Sequence, residues 1–220
     1  MIDIESLERG WFPYKRINGQ GGYFTVMQHP DVGEVFDTMF NQIRPSTVIE
    51  IGSALGGFTI LVRDLLDKNG LSDTKLVTWD VSEHGKNMYK NQNLLDVIDS
   101  RVENIFDHWG GLWEQYVDEV TQLIQREGTT VVLCDGGTKL NELRALSPLL
   151  KKDDIIMGHD YHADKVKYNS MSKEEKVGNN IWPFCETWDE KLDVPSDFAP
   201  FMHGDFERVG WLCLRRNGNG

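Results

Sequence analysis

The chain has 220 residues, of which 40% are hydrophobic and 26% are charged, with a formal net charge of −12 and an isoelectric point near 4.9. This length fits a single domain with a sizeable core, and the acidic balance argues against binding the phosphate backbone of nucleic acids. No apolar run approaches the roughly 18 residues of a membrane span, and the start of the chain lacks an apolar signal region, so we expect a cytoplasmic protein.

Predicted strands and helices alternate along most of the chain. Apolar residues at helical spacing predict a helix between Pro30 and Pro45, and we assign 1–45 to an N-terminal helical cap. The later elements, in chain order, are strand TVIEIG (47–52), helix FTILVRDLLDK (58–68), strand KLVTWD (75–80), strand SRVENIF (100–106), helix WEQYVDEVTQLIQREG (113–128), strand TVVLCD (130–135), helix NELRALSPLLKK (141–152), strand DIIMGHD (154–160) and strand ERVGWLCLRR (207–216). This order predicts an α/β fold with a mostly parallel sheet and helices on both faces.

One long segment interrupts this alternation before the last strand. Residues 162–205 are polar and charged at first and then aromatic, in the stretch IWPFCETW. We interpret the segment as an insertion within a single domain spanning 1–220, serving either as a lid over an acceptor or as a surface excursion packed on the body. Trp182, Phe184 and Trp188 are candidate walls for an acceptor pocket. Two of the three cysteines, Cys134 and Cys213, lie in apolar runs and are interpreted as buried hydrophobic residues.

Polar residues end four of the predicted strands. They are Glu50–Gly52, Asp80, Asp135 and His159–Asp160. Parallel strands present their carboxyl ends at one edge of the sheet, where α/β proteins bind ligands. The sequence therefore predicts that these groups share one ligand-binding edge.

A glycine-rich loop, EIGSALGG, follows the first of these strands and opens a helix. The spacing of Gly52, Ala54 and Gly57 matches a dinucleotide fingerprint, and Asp80 lies where a ribose-binding acid belongs. The loop alone therefore leaves a nicotinamide cofactor and other adenosine ligands open. Glu50 favours a cofactor with a cationic end, such as S-adenosylmethionine, because a carboxylate would repel a pyrophosphate.

Several motifs resemble one enzyme family. The stretch VIEIGSALGG resembles motif I of class I S-adenosylmethionine-dependent methyltransferases, and LVTWD resembles their second motif. The stretches VVLCDGG and LSPLLKKDDIIMGHDY are similar to the divalent-metal-dependent O-methyltransferases, of the catechol type and the cephalosporin-hydroxylase-like group. The resemblance covers roughly 28–161 and the terminal strand GWLCLRR. It implies a Rossmann-like methyltransferase fold with a C-terminal antiparallel strand.

The resemblance also implies a binding site for S-adenosyl-L-methionine. Glu50, Gly52 and Gly56 would hold its methionine part, and Asp80 would accept hydrogen bonds from its ribose. Gln28 either reaches the cofactor side or is a polar residue at a helix entry. The full predicted cofactor set is Gln28, Glu50, Gly52, Ser53, Gly56, Asp80, Val81, Asn104 and Asp135.

By the same resemblance, Asp135, His159 and Asp160 match the metal ligands of the family. Their oxygens suit Mg²⁺, and an imidazole would shift the preference toward Mn²⁺. The family usually has two oxygen donors after the second strand, so His159 is a third ligand, a general base or an outer group. Lys139, His159 and His162 are the candidate bases. Without a metal, the two aspartates would act as strand-end caps.

The sequence therefore predicts a metal-assisted O-methyltransferase that acts on a small-molecule or sugar hydroxyl. Two alternatives are an NAD-dependent oxidoreductase and a non-catalytic protein that binds S-adenosylmethionine. The acceptor and the oligomeric state, including a homo-oligomer, stay open at this stage.

Overall fold

The computed structural model describes residues 12–16, 23–179, 181–189 and 192–218. Its first elements are strands β1 (Phe12–Lys15) and β2 (Tyr23–Val26), which pair antiparallel as a separate small sheet, and helix α1 (Val32–Ile43). The described part of the predicted N-terminal helical cap thus combines a helix with two strands. Residues 1–11 and 17–22 of that cap lie outside the described residues.

The main sheet contains seven of the described strands: β3 (Thr47–Ile51), β4 (Lys75–Asp80), β5 (Asp99–Val102), β6 (Thr130–Cys134), β7 (Ile155–His159), β8 (Phe198–Pro200) and β9 (Trp211–Arg216). They are arranged in the order β5-β4-β3-β6-β7-β9-β8. The first five in this order run parallel, whereas β9 lies antiparallel between β7 and β8. The sequence prediction of a mostly parallel sheet with an antiparallel C-terminal strand is confirmed.

Further helices connect the strands: α2 (Gly57–Lys68), α3 (His84–Asn91), α4 (Glu114–Ile124), α5 (Lys139–Leu146), α6 (Lys165–Ser170), α7 (Lys173–Gly178) and α8 (His203–Arg208). The helix predicted over 141–152 is wrong at its end, since α5 stops at Leu146 and a 3-10 turn, Ser147–Leu149, follows. Pro148 explains this, because proline has no backbone N–H and cannot continue an α-helix. The strand predicted over 100–106 is also shorter in the structure, where β5 ends at Val102.

Apolar side chains cover both faces of the main sheet, as expected for a parallel sheet between helices. Along β3, Val48 joins the cluster that packs under α1 and α2, whereas Ile49 joins the cluster under α4 and α5. Cys134 and Cys213 are buried and free, which confirms the interpretation of both as core residues. Among the described helices, none combines the length and the apolar composition needed to cross a bilayer.

Candidate active site

The polar strand ends meet at one edge of the main sheet, as predicted. In the register, Ile51 pairs with Trp79 and with Cys134, and Cys134 pairs with Gly158. The residues that follow these positions therefore lie side by side. A cavity of about 440 Å³ opens at this edge, between the loops that follow β3, β4, β5 and β6. Its volume is in the range of small-molecule sites.

The glycine-rich loop is fastened to the end of β4. The Asp80 carboxylate accepts hydrogen bonds from the backbone N–H groups of Ala54 and Ser82, both at 2.7 Å. Gly52 has a φ of +87°, and a Cβ at this position would lie 2.5 Å from the Asp135 carbonyl oxygen. Glycine is therefore required at residue 52 both by the backbone angle and by the closeness of the neighbouring strand.

Two other glycines of the loop are needed for packing of the chain on itself. A Cβ on Gly57 would overlap the backbone carbonyl of Thr25 in β2, and one on Gly56 would lie 2.7 Å from the Tyr89 ring. Strand β2 therefore covers the N-terminus of α2. In a dinucleotide-binding protein that helix end faces the pyrophosphate.

Glu50 lies buried beneath this loop, with 1% of its surface exposed. Its Oε2 accepts a hydrogen bond from the Thr59 hydroxyl at 2.6 Å, while its buried Oε1 has no partner among the described residues. Burial raises the pKa of Glu50 to about 7, against the lowering effect of the hydrogen bond from Thr59. A buried carboxylate with one free oxygen is suited to receiving a cationic group.

The structure brings most of the predicted cofactor residues together. Gly52, Asp80, Val81, Asn104 and Asp135 line the cavity. A smaller cleft beside it is lined in part by Gln28, Gly52, Ser53 and Asp135. Glu50 and Gly56 do not line either space.

Glu142 also lines the cavity, although no sequence motif pointed to it. It is 2% exposed, and its carboxylate accepts hydrogen bonds from the backbone N–H groups of Gly136 at 3.2 Å and Thr138 at 3.1 Å. Burial raises the pKa of Glu142 to about 7. Glu142 therefore fixes the loop that directly follows Asp135.

At one end of the cavity, Asp135 joins a cluster with His159 and Asp160. Potential metal-ligand atoms from these three residues all lie within 4.8 Å of one another. Gln28 orients the first of them, since its Nε2 donates to Asp135 Oδ2 at 2.7 Å and its Oε1 accepts from Trp211 Nε1 at 2.8 Å. The prediction that strands β6 and β7 bring these groups together is confirmed.

His159 faces the cluster with Nδ1, which lies 2.8 Å from Asp135 Oδ1. Its ring is buried beside Trp182 and Trp211, and Nε2 has no hydrogen-bond partner among the described residues. A histidine that binds a metal normally donates its second ring N–H to a partner. The arrangement therefore favours His159 as a donor that orients Asp135.

Lys139 completes the cluster from the first turn of α5. Its Nζ lies 3.0 Å from Asp160 Oδ2, 3.1 Å from Glu186 Oε2 and 4.0 Å from Asp135 Oδ1, and it donates to the Gly136 carbonyl at 3.1 Å. Burial lowers the pKa of Lys139, but the negative charges of Asp160 and Asp135 outweigh burial and hold it above its ordinary value. The side chain is an ammonium group in this arrangement.

Asp160 is held in place through both its backbone and its side chain. Its φ is +55°, and Trp182 Nε1 donates to its Oδ1 at 2.8 Å. Its carbonyl oxygen accepts hydrogen bonds from the backbone N–H groups of Glu186 at 2.7 Å and Thr187 at 3.0 Å. These bonds place the aromatic part of the predicted insertion beside the cluster.

The structure does not bring His162 into the cluster. Its Nδ1 accepts a hydrogen bond from the backbone N–H of Asp164 at 3.2 Å, and its ring packs beside Tyr168. Of the predicted acceptor walls, Trp182 packs beside both His159 and Phe184, whereas Trp188 packs under the Lys165 ammonium.

This fold and this strand-end site together define an α/β protein of the methyltransferase class. The sequence model of a family described as "Methyltransferase domain" matches residues 49–161, which is just over half of the chain. The chain belongs to this family, and the resemblance drawn from its motifs is confirmed at that level. No curated protein sequence matches the chain.

Solved structures share the fold at low sequence identity. An apo structure of CmcI has 16% identity and a TM-score of 0.57, with 94% of this chain and 77% of that chain covered. A Mg-SAM structure of CmcI has 15% identity and a TM-score of 0.54, covering 92% and 76%. A putative O-methyltransferase from Klebsiella pneumoniae has 12% identity and a TM-score of 0.50, covering 86% and 81%.

Proposed function

We propose that the protein transfers a methyl group from S-adenosylmethionine to a hydroxyl oxygen of a small molecule or sugar, assisted by a divalent cation. One observation carries this proposal: Asp135 lines the cofactor cavity and also belongs to the cluster with His159 and Asp160. A methyl donor in the cavity and an acceptor at the cluster would therefore meet at Asp135.

The cavity suits S-adenosylmethionine better than a dinucleotide. The Asp80 carboxylate already accepts the hydrogen bond from the Ala54 N–H, and β2 covers the N-terminus of α2. Neither this N–H nor the helix N-terminus is therefore free to bind a pyrophosphate. Glu50 offers a buried carboxylate to a cationic methionine end. These contacts argue against the NAD-dependent alternative. The non-catalytic alternative differs only in lacking methyl transfer.

The cluster fits a hard divalent cation, because Asp135 and Asp160 supply carboxylate oxygens and the Lys139 ammonium already lies among them as a stand-in cation. A CmcI structure carries Mg and SAM on the same fold. When bound, the ion would lower the pKa of the acceptor hydroxyl and fix its oxygen. His159 would keep Asp135 in the orientation that binding needs.

A pocket beside the cluster, lined in part by Lys139, Asn141 and Glu186, would take the acceptor. Lys139 is the proposed proton acceptor on geometric grounds, because it reaches both this pocket and Asp160. The acceptor oxygen attacks the methyl carbon, the carbon–sulfur bond breaks with its electron pair going to sulfur, and S-adenosylhomocysteine leaves. Lys139 is an ammonium in the metal-free protein, so its own proton must first leave to solvent, after which its amine takes the hydroxyl proton.

Thermal-shift measurements with S-adenosylhomocysteine and with NAD test the cofactor. S-adenosylhomocysteine should raise the melting temperature and NAD should not. Asp80→Asn should weaken the binding of S-adenosylhomocysteine at least tenfold, because an amide cannot accept hydrogen bonds on both sides as the carboxylate does. Asp99→Asn, at a distant ion pair with Lys75, is the matched control and should leave the affinity unchanged. A shift with NAD alone would contradict the proposal.

A further inference from the structure

Lys139 lies inside a cage of oxygen atoms that comes from three parts of the chain. Asp135 and the Gly136 carbonyl follow β6, Asp160 follows β7, and Glu186 belongs to the inserted segment. The ammonium of Lys139 is within 3.1 Å of three of these oxygens and 4.0 Å from the fourth. Oxygen donors at several sides of one position are also what Mg²⁺ and Mn²⁺ require.

Glu186 is not an incidental neighbour of this cage. Its backbone N–H donates to the Asp160 carbonyl at 2.7 Å, and the next residue, Thr187, donates to the same oxygen. The backbone of Glu186 is thus tied to Asp160, while its side chain is 62% exposed and reaches Lys139. A carboxylate that is anchored through its backbone can change its partner without rearrangement of the fold.

The net negative charge of the cage suits a divalent cation. Three carboxylates surround one ammonium, so two negative charges are left without compensation by Lys139. The two oxygens of Asp160 have different donors, with Trp182 on Oδ1 and Lys139 on Oδ2. Departure of the lysine would therefore free one Asp160 oxygen while Trp182 still held the other.

We infer that Lys139 and a divalent cation compete for one position in this cage, and that Glu186 is its third carboxylate ligand. This inference rests on the proposed metal-assisted function. In the metal-free protein the ammonium holds the three carboxylates together. Asp135, Asp160 and Glu186 would hold a bound cation in its place, and the Lys139 side chain would then turn to the acceptor pocket, which it also lines.

Binding of Mn²⁺ to the full chain, measured by electron paramagnetic resonance and by calorimetry, tests the inference. Lys139→Met should bind Mn²⁺ at least tenfold more tightly than the wild type, because the competing charge is gone. Glu186→Gln should bind it at least tenfold more weakly. Lys75→Met, which removes a lysine from a distant ion pair, and Glu174→Gln, on an exposed helix, are the controls and should stay within twofold of the wild type.

Affinity in Lys139→Met equal to or weaker than that of the wild type would overturn the competition. Unchanged affinity in Glu186→Gln would remove Glu186 from the ligand set. Absence of Mn²⁺ binding to both the wild type and Lys139→Met would overturn the whole inference. The cofactor part of the proposed function would then still be judged separately, by the thermal shift with S-adenosylhomocysteine. The thermal shift with S-adenosylhomocysteine is also measured for each variant, and a shift equal to that of the wild type shows that the variant is folded.

Discussion

Glu50 and Glu142 are carboxylates whose pKa values are raised by burial to about 7. A raised pKa in the folded protein means that ionising the group costs stability. For Glu50 the cost develops as the pH rises from its ordinary pKa of 4.5 to about 7, and it is constant above that. Such a cost persists in proteins where the charged group has a binding role.

Replacing Glu50 by glutamine should therefore stabilise the cofactor-free protein at pH 8 relative to the wild type. The gain in the free energy of unfolding should be of the order of 1–3 kcal/mol and should nearly vanish at pH 5. Urea unfolding at the two pH values measures it. The same variant should bind S-adenosylhomocysteine at least tenfold more weakly, because the cationic end of the cofactor loses its countercharge.

Glu142→Gln is the matched comparison, since Glu142 has the same raised pKa but contacts backbone N–H groups. A loss of stability in Glu50→Gln at pH 8, with unchanged affinity for S-adenosylhomocysteine, would show that Glu50 is a structural group and has no part in binding.

At the scale of residues, the positions of the strand-end aspartates could be predicted from the sequence, but the other groups that meet them at the site could not. Asp80, Asp135 and Asp160 were predictable because Asp80 ends a strand and the other two directly follow one. Glu142 and Glu186 were not, since their approach to the site depends on the helix and the insertion folding back over the strand ends. The role of His159 could not be settled from the sequence either, because it depends on which ring nitrogen has a partner.

At the scale of elements, the glycine-rich loop holds β2 and α2 together. Gly57 lacks the Cβ that would overlap the Thr25 carbonyl, and the buried residues Phe24 and Val26 flank that contact. In the sequence, Gly57 belongs to a spacing that matches a dinucleotide-binding fingerprint. In the structure, Gly57 instead allows strand β2 to approach α2 closely. The motif is the same whether a ligand or a strand approaches the glycine, so the sequence cannot distinguish the two.

Gly57→Ala should therefore lower the free energy of unfolding by about 1–3 kcal/mol, because the added methyl forces β2 away from the helix. Chemical denaturation measures the loss. Gly204→Ala is the control: residue 204 lies in α8 with open space around it, and alanine there should be neutral or slightly stabilising. Equal stability of the two variants would show that β2 is not packed against α2 as described.

Regular elements with strong patterns were predicted well from the sequence, and weakly patterned ones were not. The parallel strands β3, β4, β6 and β7 are rich in apolar residues and were recognised, and the polar strand β5 was recognised with wrong bounds. Helix α3 was missed because Gly85 and Tyr89 are its only buried residues, which gives it no apolar stripe. The strands β1 and β2 have four residues each, too few to show an alternation clearly.

For the whole molecule, the sheet order places the cavity behind Asp80 and the carboxylate cluster on the same edge. Strand β3 lies between β4 and β6. The strand order therefore reverses beside β3, with β4 and β5 on one side and β6 and β7 on the other. Ligands bind at such a reversal in α/β proteins. The fold could therefore be predicted from the order of strands and helices, whereas the acceptor depends on side chains of the insertion and could not.

The most direct test of the proposed reaction is transfer of a labelled methyl group from S-adenosylmethionine to a panel of phenolic, small-molecule and sugar hydroxyl acceptors. Transfer should occur to an oxygen, should stop on addition of EDTA and should return with Mg²⁺ or Mn²⁺. Asp135→Asn should reduce the rate at least a hundredfold, since Asp135 belongs to both the cavity and the cluster. Transfer that is unchanged by EDTA, or no transfer to any acceptor while S-adenosylhomocysteine still binds, would contradict the account.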